Sequence, residues 1–396
     1  MMFSRKEFLA AAAGLPMLAG AVPAESQIKA PRFAPYRNDK LEPRADFWKV
    51  RPQEIIERCR TVKKGRAEII AHTPLGYPIY AVFYGDFNEP PPQTNWSAGS
   101  SSTTWRNFTG DRKDGRQTFL FVAGVHGAEA ETVAGAMNVI QLLETGRDYR
   151  GKEDPALVDL VSKYRFIIVP CGNMDGRSIS PDHLRGLDFH DFRVASQGVW
   201  KDQSLVGWRG SKAWFPLPLD RVAYPGGYPN ADGYNIMHDA APGDIRTAEA
   251  RALLKLAARW RVDAVLNGHS YEYAPSILPP SSLDLAEKAE RGLDIRLRVN
   301  QAIYKAGLTP RVPTRGEARP SHNLNTMFSL SSGALALTLE SSVSFDRPMK
   351  PPKVQPTRSY TFEELMEPTF IALREYLADG LERPFLNRGD DKVKPD

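Results

Sequence analysis

The sequence predicts an α/β fold in which a central β-sheet is covered by helices. Three observations carry this expectation. Apolar runs of strand length alternate through the middle of the chain with segments of helical period, the pattern of a sheet buried beneath helices. The 396 residues are 42% hydrophobic and 25% charged, with 30 Gly and 32 Pro, a balance that fits a globular chain and excludes a disordered one. No collagen, coiled-coil or repeat signature interrupts the pattern. At about 150 residues per domain this length allows two to three domains, but large α/β enzymes use it for one.

The chain opens with an address. Residues 1–21 run from Met1-Met2-Phe3-Ser4-Arg5-Lys6 into an Ala/Gly/Leu-rich stretch with Ala19-Gly20-Ala21 as a small-residue cleavage site, so a secretory signal peptide is expected. Its apolar part, Phe8 to Val22, falls short of the roughly 20 residues of a membrane span and contains Gly14 and Pro16. Ser4-Arg5-Lys6-Glu7-Phe8-Leu9 resembles the twin-arginine export motif with Lys for the second Arg. A periplasmic or secreted protein without a stable membrane anchor follows as the expectation.

Residues 22–60 read as a polar, Pro-punctuated N-terminal extension in which Asp46–Arg60 is expected to be helical. Glu68–His72 and Pro78–Tyr84, separated by Thr-Pro-Leu-Gly-Tyr, read as a hairpin. Residues 86–116 read as a long loop, whose sequons at Asn95 and Asn107 mean little behind a bacterial export signal. Thr118–Val125, Arg165–Pro170, Ala264–Asn267 and Ala334–Leu339 are buried-type strands. Ala130–Leu143, Arg246–Trp260, Leu283–Ala306 and Phe362–Leu377 have helical period, with Gly380 as the stop of the last. Residues 171–243 show little periodicity, yet three of the seven Trp (Trp200, Trp208, Trp214) fall there, which favours an ordered wall, with residues 192–243 as a long insert. Residues 386–396 are a charged tail, so 61–385 remain as a single domain.

Charge and cysteine content narrow the chemistry. Lys+Arg minus Asp+Glu is 52 − 47 = +5, scattered instead of gathered into basic runs, which argues against nucleic acid. With only Cys59 and Cys171, any metal must be held by His and carboxylates. Of the seven histidines, His126 follows directly on a buried strand, at the carboxyl end where α/β sheets place ligands. His126-Gly127-Ala128-Glu129 puts a carboxylate three residues on, at the entry to a helix, and the pair can supply two corners of a tetrahedral zinc site. Alone, this spacing equally fits a surface His beside a helix-dipole Glu. A second strand, however, ends in Gly268-His269-Ser270, and a third in Glu340. Three ligands of this type leave the fourth zinc position for a water whose pKa falls to about 7, and a free carboxylate nearby can take its proton. His183, His238 and His322, with polar neighbours, read as solvated loop histidines, and His72 as a structural strand residue.

Taken in order, these residues resemble the zinc carboxypeptidase family, the carboxypeptidase A-like metallopeptidases, over roughly residues 70–345. Leu75-Gly76-Tyr77-Pro78-Ile79 is similar to its early turn, His126-Gly127-Ala128-Glu129 to its H-x-x-E motif, and Asn173-Met174-Asp175-Gly176 to its Asn-Pro-Asp-Gly turn. Gly186-Leu187-Asp188-Phe189-His190-Asp191 stands for its Gly-x-Asp-x-Asn-Arg segment, Leu266-Asn267-Gly268-His269-Ser270 for its third-ligand motif, and Thr338-Leu339-Glu340 for its catalytic Glu. The resemblance implies a mixed sheet with helices on both faces, one Zn²⁺ on His126, Glu129 and His269, a peptide or amide substrate, and Glu340 as general base. It also implies that Asp188 orients a ligand His, fixing its tautomer. Arg185 is the leading counterpart of the family Arg that polarises the scissile carbonyl, with Arg177 and Arg209 behind it.

One departure stands out in that comparison. The family's Asn-Arg pair, which grips a free C-terminal carboxylate, is His190-Asp191 here, which puts a negative charge where the family holds a positive one. An exported zinc metallopeptidase is the leading reading. A zinc amidase or deacylase acting on cell-wall peptides or acylated amino acids is the near alternative. A non-catalytic envelope binding protein would require a lost ligand or base, and all four residues are present. No Ser nucleophile elbow appears.

Overall fold

The computed structural model describes residues 27–88, 116–270, 274–281, 284, 286–311, 322–343 and 359–385. The expected signal peptide, both sequons and the charged tail lie outside the described residues. In chain order the principal elements are α1 (Pro52–Arg60), β1 (Arg66–His72), β2 (Pro78–Tyr84), β3 (Thr118–Ala123), α2 (Ala130–Thr145), α3 (Pro155–Ser162), β4 (Arg165–Val169), α4 (Met174–Ile179) and α5 (Phe189–Gln197). There follow β5 (Val199–Trp200), α6 (Gly207–Ala213), β6 (Val222–Tyr224), a 3₁₀ turn (Ile236–His238), α7 (Ala248–Arg259), β7 (Ala264–His269), β8 (Ser276–Leu278), α8 (Ala286–Lys305), α9 (Leu324–Ser332), β9 (Leu335–Glu340) and α10 (Phe362–Glu382).

Seven strands form one mixed sheet in the order β1-β2-β4-β3-β7-β9-β8. The four central strands β4, β3, β7 and β9 are parallel, and β1, β2 and β8 add antiparallel edges. Alternation along each central strand divides the core in two. Phe119, Phe121, Phe166, Ile168, Leu266 and Leu337 point into a cluster shared with α1, α2, α3, α8 and α10. Leu120, Val122, Ile167, Val265 and Ala336 point into the opposite cluster, under α7 and α9. Period-two burial on both faces requires helices on both faces, and the structure supplies them.

After β3 the chain passes to β4 on one side and then returns to β7 on the other. The connections leaving β3 and β7 therefore diverge, opening a crevice at their carboxyl ends. That crevice positions the site described below.

The N-terminal extension is built into this core: Trp48, Val50, Ile55 and Cys59 are buried in the first cluster. Helix α1 is shorter than expected because Glu54 folds back, its Oε2 accepting from Val50 N and Arg51 N at 3.0 Å each, so the helix begins only at Pro52. Strand β7 runs two residues longer than expected and ends on His269 itself. Gly380 does not stop α10, which continues to Glu382. A Cβ there would lie 2.2 Å from the Phe385 ring and 2.5 Å from Tyr164 Oη, so this glycine serves close packing and not termination. The aperiodic stretch 171–243 is ordered as short helices and a two-stranded β5–β6 ribbon, too brief for periodicity to register. No helix among the described residues is long and apolar enough to cross a membrane.

Glu249, in the first turn of α7, is buried and accepts a hydrogen bond from Asn230 Nδ2 at 3.0 Å. Burial pushes its carboxyl up from 4.5 to about 7 despite that hydrogen bond. Between those values the folded chain holds a proton that the unfolded chain has lost, so this group's contribution to stability falls as pH rises from 4.5 towards 7. Thermal melts of wild type and Glu249→Gln across that range should show a shallower decline in the variant; parallel profiles would remove this carboxyl from the pH dependence.

Candidate metal centre

Each ligand position follows from local backbone chemistry. Beyond β3 the chain turns at Gly124 and buries Val125 before presenting His126. Gly127 then packs against the backbone of α4: a Cβ at this position would lie 2.2 Å from Arg177 N and 2.3 Å from the Gly176 carbonyl carbon. Only glycine allows that approach, and Gly127 N donates to Gly227 O at 2.7 Å to fix it. The Asn173-Met174-Asp175-Gly176 turn supports the loop from behind. Asn173 caps α4 by accepting from Gly176 N at 2.9 Å, donates through Nδ2 to Tyr228 O at 3.0 Å, and donates through its own backbone N–H to Gly124 O at 2.9 Å. Glu129 occupies the N-cap position of α2, and His269 ends β7 in register with Glu340 on β9.

Three buried side chains meet in the crevice. His126 Nδ1 lies 2.9 Å from Glu129 Oε1, His269 Nδ1 lies 2.7 Å from Glu129 Oε2, and the two Nδ1 atoms are 3.2 Å apart. One donor atom from each residue lies within 4.8 Å of the others. On its far side His126 Nε2 is 3.1 Å from Asn235 Oδ1, an acceptor, so that nitrogen carries a proton and Nδ1 presents a lone pair to the cluster. A lone pair facing a carboxylate oxygen and a second ring nitrogen at these distances calls for a cation between them. Two imidazole nitrogens and a carboxylate are the donor set that suits Zn²⁺. The residues present thus fit one metal ion.

The electrostatics agree with this geometry. Burial alone would raise the Glu129 carboxyl, but the adjoining His126 and His269 outweigh it and hold the group well below the carboxylate range. Burial lowers the His269 imidazole, and Glu129, reinforced by Glu340, more than reverses that. Glu340 therefore stands within electrostatic reach of His269, as its register position requires. The Tyr228 ring stacks on His126 with centroids 3.9 Å apart and planes 5° apart, locking the imidazole plane.

The other expected site residues lie elsewhere. Asp188 caps α5, accepting from Asp191 N at 2.9 Å, and its side chain and that of Asp191 both pair with Lys40 Nζ, at 3.0 and 2.7 Å. Neither contacts His126; the group that orients this ring is Asn235. His190 is exposed at the start of α5, its Nδ1 3.9 Å from Asp191 Oδ1. Arg185 is tied down by Tyr360 O, 2.6 Å from its Nε, and by Glu42, with its guanidinium over the Phe362 ring. Arg177 is buried in α4 and donates to Pro181 O, whereas Arg209 is exposed on α6.

Sequence reasoning thus missed Asn235, Tyr228 and His238. A faint signal existed: Gly233-Tyr234-Asn235 repeats the spacing of Gly186-Leu187-Asp188 with the amide in place of the acid. His238, read as a solvated loop residue, is largely enclosed, and burial, followed by the charges of Lys212, His126 and His269, lowers its pKa to about 3. His183 is likewise buried, its Nε2 2.9 Å from Glu42 O, while His322 is exposed as expected.

Residues 66–279 match the family model described as zinc carboxypeptidase. Among solved structures, the chain is similar to a metallo-carboxypeptidase from Burkholderia cenocepacia at 15% identity and TM-score 0.51, covering 82% of this chain and 68% of that one. It is also similar to a metallo-carboxypeptidase from Pseudomonas aeruginosa at 14% identity and TM-score 0.50, covering 84% and 68%. At these identities the structural likeness speaks to the fold. A comparison with curated proteins gives no match.

Removing the acceptor on His126 should loosen the centre. Asn235→Ala is expected to weaken zinc binding about 10- to 100-fold in competition with a chromogenic chelator, with far-UV circular dichroism unchanged. Asn235→Asp should retain or strengthen it. Equal affinities for wild type and Asn235→Ala would mean that other contacts alone, such as Tyr228, set the ring.

Proposed function

Because the chain belongs to the zinc carboxypeptidase family, we propose that it hydrolyses a peptide or amide bond at the crevice, with one zinc held by His126, Glu129 and His269 and with Glu340 as general base. The observation that carries this reading is the convergence of the two Nδ1 atoms and the Glu129 carboxylate at one point, with Glu340 on the adjoining strand in register with His269. Zinc bound there would lower the pKa of water and polarise the scissile carbonyl. Asn235 holds the His126 proton on Nε2, so Nδ1 stays available as a ligand. Tyr228 prevents the ring from rotating away. Glu340 takes the proton of the attacking water and returns it to the nitrogen of the departing amine.

A second reading keeps the centre and changes the substrate to an acylated amino acid or a cell-wall peptide without a free C-terminal carboxylate. The argument from Asp191 lapses, because Asp191 and Asp188 share Lys40 at the start of α5, and the segment that reaches His126 is that of Asn235. What favours the alternative now is the segment after Asn235, which carries Met237 and a neutral His238 where Gly-x-Asp-x-Asn-Arg spacing would call for Asn and Arg. Export to the periplasm is proposed on the sequence of residues 1–21.

Glu340→Gln should retain stoichiometric zinc while losing about 10²- to 10⁴-fold in kcat on any amide substrate the wild type cleaves. Unchanged turnover would reassign the base. Matched peptides with free and amidated C-termini separate the two readings: a carboxypeptidase loses the amidated one, whereas an amidase cleaves both.

A further inference from the structure

The N-terminal extension does more than bury Trp48 and Val50. It folds over the segment 177–183, which follows the Asn173–Gly176 turn, and three contacts fasten it there. Tyr36 N donates to Ile179 O at 2.8 Å, Trp48 Nε1 donates to Asp182 O at 2.9 Å, and His183 Nε2 lies 2.9 Å from Glu42 O. Between the two layers is an open cavity of about 660 Å³, the size of a small-molecule site. Arg37, Arg44, Arg51 and Arg177 line it, and none of His126, Glu129, His269 or Glu340 does. It is therefore distinct from the metal centre.

Most of the charge around this cavity is matched. Asp182 pairs with Arg51 Nη2 at 2.7 Å and with Arg44 Nε at 3.1 Å, Glu54 pairs with Arg44 Nη2 at 2.8 Å, and Glu42 pairs with Arg185. Arg37 and Asp39, both exposed, offset each other in count. Arg177 is the exception. Its side chain is buried, its Nη2 donates to the neutral Pro181 carbonyl, and its Nη1 has no hydrogen-bond partner among the described residues. A buried guanidinium without a carboxylate in contact is costly. Burial lowers its pKa even though Cys171, Asp182 and Glu131 lie within electrostatic reach.

His183, on the same short segment, is buried as well and lines the same cavity. Its Nε2 carries the ring proton to donate to Glu42 O, and burial lowers its pKa, so Nδ1 presents a lone pair. That lone pair has no donor among the described residues. One wall of the cavity thus holds an unmet cationic donor and an unmet acceptor.

We propose that this cavity binds a phosphate group, whose oxygens accept from the Arg177 guanidinium and whose acidic hydroxyl donates to His183 Nδ1. Sulfate matches phosphate in shape but carries no proton near neutral pH, so it answers only the first need. Two sources share the chemistry, free inorganic phosphate and a phosphate monoester, and the volume admits either.

Calorimetric titration of the zinc-loaded full chain with inorganic phosphate, glycerol 3-phosphate and sulfate separates these, at matched ionic strength and about pH 6, where both phosphates retain a proton. One of the two phosphates should bind about tenfold or more tightly than sulfate, and which one it is identifies the source. Arg177→Met should weaken phosphate binding about tenfold or more. His183→Phe keeps a flat ring against Phe362 and should bring phosphate down to the level of sulfate. Chelator-treated wild type should keep the phosphate affinity, because no metal residue lines the cavity; for the same reason the result is independent of the hydrolytic reading. The site is disproved if neither phosphate is preferred to sulfate, if Arg177→Met or His183→Phe leaves the preference intact, or if removing zinc abolishes binding. Should Arg177→Met fail to fold, wild type and His183→Phe decide the matter by the sulfate comparison.

Discussion

The buried carboxylate of Glu129, shared between two imidazoles at 2.9 and 2.7 Å, is the constraint around which the centre is arranged. An ionised carboxylate with 1% exposure is tolerable only when positive charge and hydrogen bonds surround it. Supplying both from one side chain adjoining β3 and another ending β7 requires these strands to be neighbours, which is what the topological switch after β3 achieves. It also requires the His126–Glu129 loop to lie hard against α4, which Gly127 alone permits. Sheet order, loop path and one glycine thus answer to a single electrostatic demand.

That demand extends outward by steps. His126 presents Nδ1 because Asn235 occupies its Nε2, and Asn235 is placed because the loop 229–238 is anchored at both ends. Asn230 N donates to Tyr234 O at 2.9 Å, and Asp239 accepts from Arg246 N and from Thr247 N and Oγ1 at the start of α7. The neutral amide acceptor differs in kind from the carboxylate expected at this place. An amide leaves the His126 ring less electron-rich than an acid would, so a metal held there would keep more of its own positive charge. Both cysteines stay out of this chemistry, their buried thiols pushed up to about 12 for Cys59 and about 11 for Cys171.

The parts of the molecule legible in the sequence were those with strong local codes. Unbroken apolar runs revealed β3, β4, β7 and β9 to within two residues, and strand-end position singled out His126, His269 and Glu340, because burial on both faces leaves only the strand termini for polar work. The same logic failed wherever contacts are non-local. Asp188 matched a pattern of spacing, but spacing does not reveal which of two similar segments reaches His126, and the answer depends on how residues 171–243 fold back over the sheet. Arg185 looked free for catalysis because its partners, Glu42 and Tyr360, are more than 140 residues away in either direction. Gly380 read as a stop because its reason, the Phe385 ring, lies in tertiary packing and not in helix propensity.

The Trp-rich stretch is where these two kinds of information meet. Its composition indicated order, since indoles are rarely left in floppy linkers. Its short helices and its strands of two and three residues carry no period by which a register could be assigned. The structure shows what the tryptophans are for at the level of packing: Trp200 and Trp214 hold Arg221, and Trp208 holds Lys212. Such stacking concentrates fixed positive charge on a surface joined to the metal loop through Gly233–His238. His238 in that loop is held neutral first by its burial and then by the charges of Lys212, His126 and His269. The sheet therefore brings His126, Glu129 and His269 together, while the insert fixes the His126 ring through Asn235 and Tyr228 and holds the ligand loop through Gly227, so the two parts of the chain build the centre jointly.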